Sequence, residues 1–413
     1  MKSIATSAFA AGLLLLPSAP LTAQSSEAEA QSTAAEPVWP FETSDLPVDP
    51  GFRFGQLENG LRYILRENAT PEGTALVRMR IGSGSLEERE NERGLAHFLE
   101  HMAFNGSTNI PEGEMIPLLE REGLAFGADT NASTGFDAIT YMLDLPRNDE
   151  ALLETAMMLM RETASELAIA PEAVERERGV ILAERRDRRG FQQRAREDGF
   201  EFISPGARYT ERLPIGTQEV IATATAEDIR GLYERTYRPS NTVLVVVGDF
   251  PIDVMEAAIR SHFEDWEPSS APPLAEPVTG PVDVTRKGAS DVFLDPALSE
   301  SLTVTMLAPY IDEPDTIASR QSSLLRGIAS RIIARRLARI ARSADAPFRA
   351  ARFSQGALFE DARTNTISIA SEDGKWQPAM LAAVKNVHEA AIHGFTSAEV
   401  SEQLANILSL IHI

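Results

Sequence analysis

The 413 residues, 43% of them hydrophobic, are enough for two packed domains at roughly 100–200 residues each. Lys and Arg number 39 against 61 Asp and Glu, a formal charge of −22 that argues against a nucleic-acid partner, which needs cationic surface to neutralise phosphates. The chain has no Cys, so disulfide staples, thiol nucleophiles and Cys-ligated zinc are excluded, and any metal site must be built from carboxylates and the six His.

In chain order, residues 1–23 read as an export signal. Lys2 is followed by an apolar run from Ala5 to Leu16, Pro17 and Pro20 break it, and Leu21-Thr22-Ala23 ends in a small residue suited to cleavage. The run falls short of the ~20 apolar residues that span a bilayer, so no stable membrane span is expected, and the mature chain is read as periplasmic or secreted. Residues 24–45, rich in Ser, Ala and Glu at their start, are expected to be a disordered linker.

Strands are predicted at Arg62–Leu65, at Thr74–Ile81 by alternation, and at Val243–Val247, an apolar run typical of a buried strand. Asn131–Leu145, rich in Thr, Phe, Tyr and Ile, reads as strand too. Helices are predicted at Gly94–Phe104, Gly113–Glu122, Asp149–Ala164 and Pro171–Arg188. Strands interleaved with consecutive helices point to α+β layers. Pro and Ser cluster between Glu267 and Pro281, which places a linker at 267–285 between a first domain at 46–266 and a second at 286–413. The second is expected to open with strands at Asp291–Leu294 and Leu302–Leu307. A helix should follow over Thr316–Ser343, with an apolar face of Leu324, Leu325, Ile328, Ile332, Ile333, Leu337 and Ile340.

The segment from Gly94 to Phe104 contains H-x-x-E-H. At about 100° per residue, His97 and His101 lie about 40° apart and Glu100 about 60° to the other side of His97. Two imidazoles one turn apart can chelate one ion, and the carboxylate can reach the water on that ion. Phe98, Leu99 and Met102 would pack this helix in place. A third ligand is sought on the helix Pro171–Arg185. With Val174 at 0°, Glu177 and Glu184 fall at about 300° and 280°, inside the stripe formed by Val174, Val180 and Ile181. Carboxylates on a core face are costly unless something positive compensates them, either a metal directly or a ligand His. Spacing alone leaves open which of the two binds the ion.

These residues resemble the inverzincins, zinc metallopeptidases of family M16 related to pitrilysin, insulysin and the mitochondrial processing peptidases. The likeness rests on Gly94–Gly106 and Glu177–Glu184, and on the later stretches Arg212-Leu213-Pro214-Ile215-Gly216 and Tyr237-Arg238-Pro239-Ser240-Asn241. It implies two consecutive α/β-roll domains, each an antiparallel-rich sheet with helices on one side. It also implies Zn2+ on His97, His101 and Glu184, with Glu100 as general base and Glu177 as an acid behind a ligand His. Asn131-Ala132-Ser133-Thr134 is similar to the family's edge strand that pairs with substrate, so Asn131 and Ala132 are candidate substrate-binding residues. Family members act as two homologous halves, and this chain carries one, with a second domain that reads as incomplete. The expectation is an exported zinc endopeptidase acting on extended peptides or small unfolded proteins. The alternative is a non-catalytic metal-binding half that needs a second half, or an oligomer, for activity.

Overall fold

The computed structural model describes residues 38–272, 275 and 277–411; the export signal and most of the linker expected at 24–45 lie outside them. Residues 38–45 are not irregular as expected. Pro40–Thr43 form a 3-10 turn. Beside it the Trp39 ring sits edge-on to Phe54 with centroids 5.3 Å apart, and the Arg62 guanidinium lies over the Trp39 ring.

The first domain contains, in chain order, β1 (Phe52–Gln56), β2 (Arg62–Glu67), β3 (Ala75–Ile81), α1 (Leu95–Met102), α2 (Met115–Arg121), β4 (Thr130–Thr134), β5 (Ile139–Leu145), α3 (Glu150–Ser165) and α4 (Pro171–Arg188). It continues through α5 (Phe191–Ile203), α6 (Arg208–Glu211), α7 (Gln218–Thr223), α8 (Ala226–Thr236), β6 (Thr242–Gly248) and α9 (Ile252–Phe263). The six strands form one sheet in the order β1-β2-β6-β3-β5-β4. Four neighbouring pairs are antiparallel, and only β2 and β6 run parallel. Because side chains alternate across a sheet, one face of β3, β5 and β6 is buried: Val77, Met79 and Ile81, then Tyr141 and Leu143, then Leu244 and Val246. Helices α1, α3 and α9 contact the sheet. The run Val243–Val247 is therefore buried on one face only; Val243, Val245 and Val247 on the other are half-buried.

The stretch Asn131–Leu145, expected as one strand, is a hairpin. Gly135 donates its N–H to the Ala138 carbonyl at the turn, and β4 returns antiparallel along β5 as the outermost strand of the sheet.

After α9 the described residues hold no regular element until β7 (Ser301–Pro309). The strand expected at Asp291–Leu294 is absent, and Val292 and Leu294 stand 74% and 85% exposed. These residues have no partner strand, and an apolar run without one gains nothing from being extended. Then come α10 (Ile317–Ile340), β8 (Ala350–Leu358), β9 (Ala362–Ala370), α11 (Trp376–His393) and α12 (Ser397–Ile411). The three strands pair antiparallel in the order β7-β9-β8. Thr316 caps α10 by accepting the Ser319 N–H, which sets its start. Ile328, Ile332, Ile333 and Leu337 are buried, whereas Leu324 and Leu325, assigned to the same face, are exposed. Tyr209 stacks near Phe359 at the β8–β9 turn with centroids 4.7 Å apart, and Phe136 meets the same ring, tying the second sheet to the first.

A candidate metal centre on two crossing helices

Helix α1 is short, and its core face explains its position. Leu95, Phe98, Leu99 and Met102 recur at helical spacing and are all buried, as their packing role required. That face turns His97, Glu100 and His101 toward α4, which packs against α1. Pro171 opens α4, where the missing N–H costs nothing, and Arg185, Arg186 and Arg188 close it at the negative end of the helix dipole. Val174 and Ile181 bury this helix as the pattern predicts, but Val180 does not join them. It is 52% exposed, on the surface beside Gly179, Ala183 and Glu184.

The structure brings the predicted residues together. His97 Nε2 lies 3.3 Å from His101 Nε2. Glu184 Oε2 lies 3.6 Å from the first and 3.4 Å from the second. Tetrahedral bonds of about 2.0–2.1 Å place neighbouring ligand atoms about 3.3–3.4 Å apart, so the three donors stand at the spacing a zinc ion requires. Among the described residues, these three form the group of His and acids that could hold a cation. The donor chemistry fits as well. Two imidazole nitrogens and a carboxylate oxygen are the donor types that zinc takes in a site with an open position.

Glu177 does not join the donors; it stands behind His101. Its Oε1 lies 2.8 Å from His101 Nδ1 and its Oε2 accepts from Asn105 Nδ2 at 3.3 Å. A proton on Nδ1 leaves the Nε2 lone pair facing His97 and Glu184. The hydrogen bond to His101 holds the Glu177 carboxyl below the usual range. Burial would lower His101, but the bond to Glu177 and the charges of Glu177, Glu100 and Glu184 outweigh it and raise it. A cation at Nε2 competes directly with that proton. Burial, with His101 beside it, brings His97 down to about 3, so its ring is neutral at ordinary pH.

Glu100 sits on the neighbouring face and accepts a hydrogen bond from the Thr134 hydroxyl at 2.6 Å. Burial raises its carboxyl above the ordinary value despite that bond. Thr134 belongs to β4, which also carries Asn131 and Ala132. Asn131 is exposed and its side chain accepts its neighbour's N–H, from Ala132, at 2.9 Å, while Ala132 packs against the core. The predicted edge strand therefore lies beside the base and the donors.

Three participants were not assigned a part from sequence. Thr134 lay in the quoted strand motif, but only the three-dimensional approach of β4 to α1 reveals its contact. Asn105 and Arg188 each follow a site residue by four positions, one helical turn, and that spacing was a usable signal. Asn105 also donates to the His101 carbonyl, and Arg188 pairs with Glu184 Oε1 at 2.6 Å.

The chain is similar to known proteins over most of its length. A family model described as insulinase, peptidase family M16, matches residues 63–199, and one described as the peptidase M16 inactive domain matches 223–407. The second match begins before β6, which lies inside the first sheet, so it does not coincide with the structural domain. The chain is 28% identical over 374 residues to a probable zinc protease PqqL of Haemophilus influenzae, covering 89% of this chain and 40% of that protein. It is 32% identical over 299 residues to a zinc protease PQQL-like of Arabidopsis thaliana, covering 72% of this chain and 31% of that protein. The solved periplasmic protease PqqL of Escherichia coli superposes with a TM-score of 0.76 at 25% identity, covering 89% of this chain and 40% of that one. The chain thus spans well under half the length of these relatives.

Proposed function

Since the chain belongs to peptidase family M16, we propose that it is the metal-bearing half of an exported zinc endopeptidase that hydrolyses extended peptides or small unfolded proteins. The observation that carries this reading is the triangle of His97 Nε2, His101 Nε2 and Glu184 Oε2, with 3.3–3.6 Å edges. His97, His101 and Glu184 would hold zinc, which when bound lowers the pKa of a coordinated water to about 7 and polarises a carbonyl.

The chain's own groups do the rest. Glu100 takes the proton of the attacking water and passes it to the leaving amine. Its raised carboxyl pKa brings it nearer the range where both transfers are efficient. Thr134 orients one Glu100 oxygen and leaves the other for the water. Glu177 holds His101 in the tautomer that presents Nε2. The outer edge of β4 accepts an extended peptide as an added strand, with Asn131 and Ala132 contributing backbone groups. Export is inferred from the pattern of residues 1–23, and no helix among the described residues is long and apolar enough to cross a membrane.

The test is elemental analysis beside cleavage of an unstructured peptide, with and without chelator, on the chain alone and with a second M16 half added. Glu100→Gln should keep zinc and lose about 10²–10⁴ in rate. His97→Ala and His101→Ala should lose both metal and cleavage. Wild-type cleavage by Glu100→Gln would refute the mechanism, and a chain that binds no zinc would refute the site. Full zinc with activity only after the second half is added would identify the chain as a dependent half.

A further inference from the structure

The segment Arg212–Gly216 stands out in the sequence, yet it supplies no donor, base or substrate-binding strand. Its place in the fold gives it a different task. Gly216, at φ +67°, lies against Gly94, at φ +107°, the residue immediately before α1. A Cβ on Gly216 would sit 2.3 Å from the Gly94 Cα, and one on Gly94 would sit 2.8 Å from the Gly216 Cα. Only two glycines permit this backbone-to-backbone approach, and Thr217 fastens it by donating its N–H to the Arg93 carbonyl at 3.1 Å.

The same loop reaches the other ligand helix. Arg185, the residue after Glu184, donates from Nε to the Gly216 carbonyl at 3.1 Å. Arg178, two turns earlier on α4, donates to the Ile221 and Ala224 carbonyls of α7 and its end, at 2.5 and 2.7 Å. On the α1 side, Gly94 offers no side chain to cap the helix, and Glu88 does so instead. Its two carboxyl oxygens lie 2.9 and 2.8 Å from the Gly94 and Ala96 nitrogens, which donate to them one residue before His97. The Glu88 backbone carbonyl is in turn held by Arg212 Nε at 3.1 Å and Arg208 Nη2 at 2.6 Å. Ser85 Oγ closes the circuit on the Arg212 carbonyl at 2.5 Å.

We propose that the loop from Arg212 to Thr217, closed against Gly94, is the spacer that sets the separation of the two ligand-bearing helices and thereby how tightly the cation is held. His97 and His101 ride on one side of it and Glu184 on the other, so a shift of a few tenths of an ångström at Gly216 is transmitted to the donor triangle. The proposal rests on the metal-centre reading above, and its residues are positioning residues that touch neither metal nor substrate.

The 413-residue chain is titrated with zinc against a chromophoric chelator. Gly216→Ala should weaken zinc binding by about 10–100-fold, the range seen when outer supports of metal ligands are removed. Arg185→Ala, which cuts only the tie to α4, should weaken it several-fold. Leu337→Ala, in the core of the second domain, should lower the urea midpoint yet leave the zinc affinity unchanged. That contrast separates positioning from general stability. Wild-type zinc affinity in a folded Gly216→Ala variant overturns the proposal, as does an equal loss of affinity in Leu337→Ala. If Gly216→Ala does not fold, Arg185→Ala decides alone, and an unchanged affinity overturns the spacer. A wild-type chain that takes up no zinc defeats the metal centre itself, whereas a zinc-binding chain with indifferent variants defeats only the spacer.

Discussion

The two sheets of the molecule treat apolar side chains in opposite ways. In the first, β3, β5 and β6 turn every second residue into one continuous core that also holds Phe98, Leu99 and Met102 of the metal helix. In the second, β7 has no fully buried residue and β8 buries only Phe353, with Ile367 and Ile369 of β9 completing a small core. The helices that carry the three donors, α1 and α4, pack their buried residues into that same core. The second sheet carries no part of the donor set, and it buries fewer of its side chains.

The sharpest way to break that contrast is to empty the first core beneath the metal helix. Phe98 is fully buried, one residue from His97. Phe98→Ala should cost about 3–5 kcal/mol in urea-unfolding free energy, the range for deleting a buried aromatic ring. A cost under about 1 kcal/mol would mean that the helix is not anchored by this core.

A smaller effect tests the cap on the same helix. Burial pushes the Glu88 carboxyl up to about 8, against the pull of the Ala96 and Gly94 amides and of Arg212. The folded state then keeps a proton that the unfolded chain, with its carboxyl near 4.5, has already released. Stability should therefore fall as pH rises from about 4.5 to 8 and level off above it. In Glu88→Gln that slope should vanish. The amide is neutral at every pH, like the protonated carboxyl it replaces, so the variant's stability should stay flat from about pH 5 to 8 while that of the wild-type protein declines. Parallel stability curves for the two proteins would show that Glu88 does not titrate in this window.

How much was legible in the sequence follows the same division. In the first domain α4 has the predicted bounds, because Pro171 and the basic final turn mark both ends. The H-x-x-E-H spacing located His97, Glu100 and His101 because a helix turns sequence period directly into direction. The third ligand was underdetermined for a physical reason. Glu177 and Glu184 lie on nearly the same face of α4, and only the crossing of α4 over α1 decides which is set among the imidazoles and which behind them. The Asn131–Leu145 hairpin was hidden because its turn residue Gly135 was overridden by the β-forming residues on both sides. In the second domain, β8 and β9 went unread. AARFSQGAL has little apolar alternation and ARTNTISIA alternates only over Ile367 and Ile369, too short a signal alone, so both are fixed as strands by pairing with each other and with β7. The opposite error occurred at Asp291–Leu294, where local pattern was present and a partner strand was not. Glu88 was invisible because its role depends on a loop folding back on a helix start that has no capping side chain of its own.

The smallest expected effect is the most direct measure of the contrast, and it lies on α11. This helix presents Ala379, Ala383 and Ala390 to the core, small residues that let it approach closely, and turns larger apolar groups outward: Leu381, 69% exposed, and Ile392 on the same line. Burial, not hydrophobicity, decides what a side chain contributes, so Leu381→Glu should change unfolding free energy by no more than about 0.5 kcal/mol. Leu381 makes a larger side chain than Ala383, yet Ala383→Glu would force a charge into the core and should be far more damaging. A cost above about 1 kcal/mol for Leu381→Glu, growing with protein concentration, would show that this face is covered in solution. The second domain would then be packed as firmly as the first, and the contrast between the two sheets would fail.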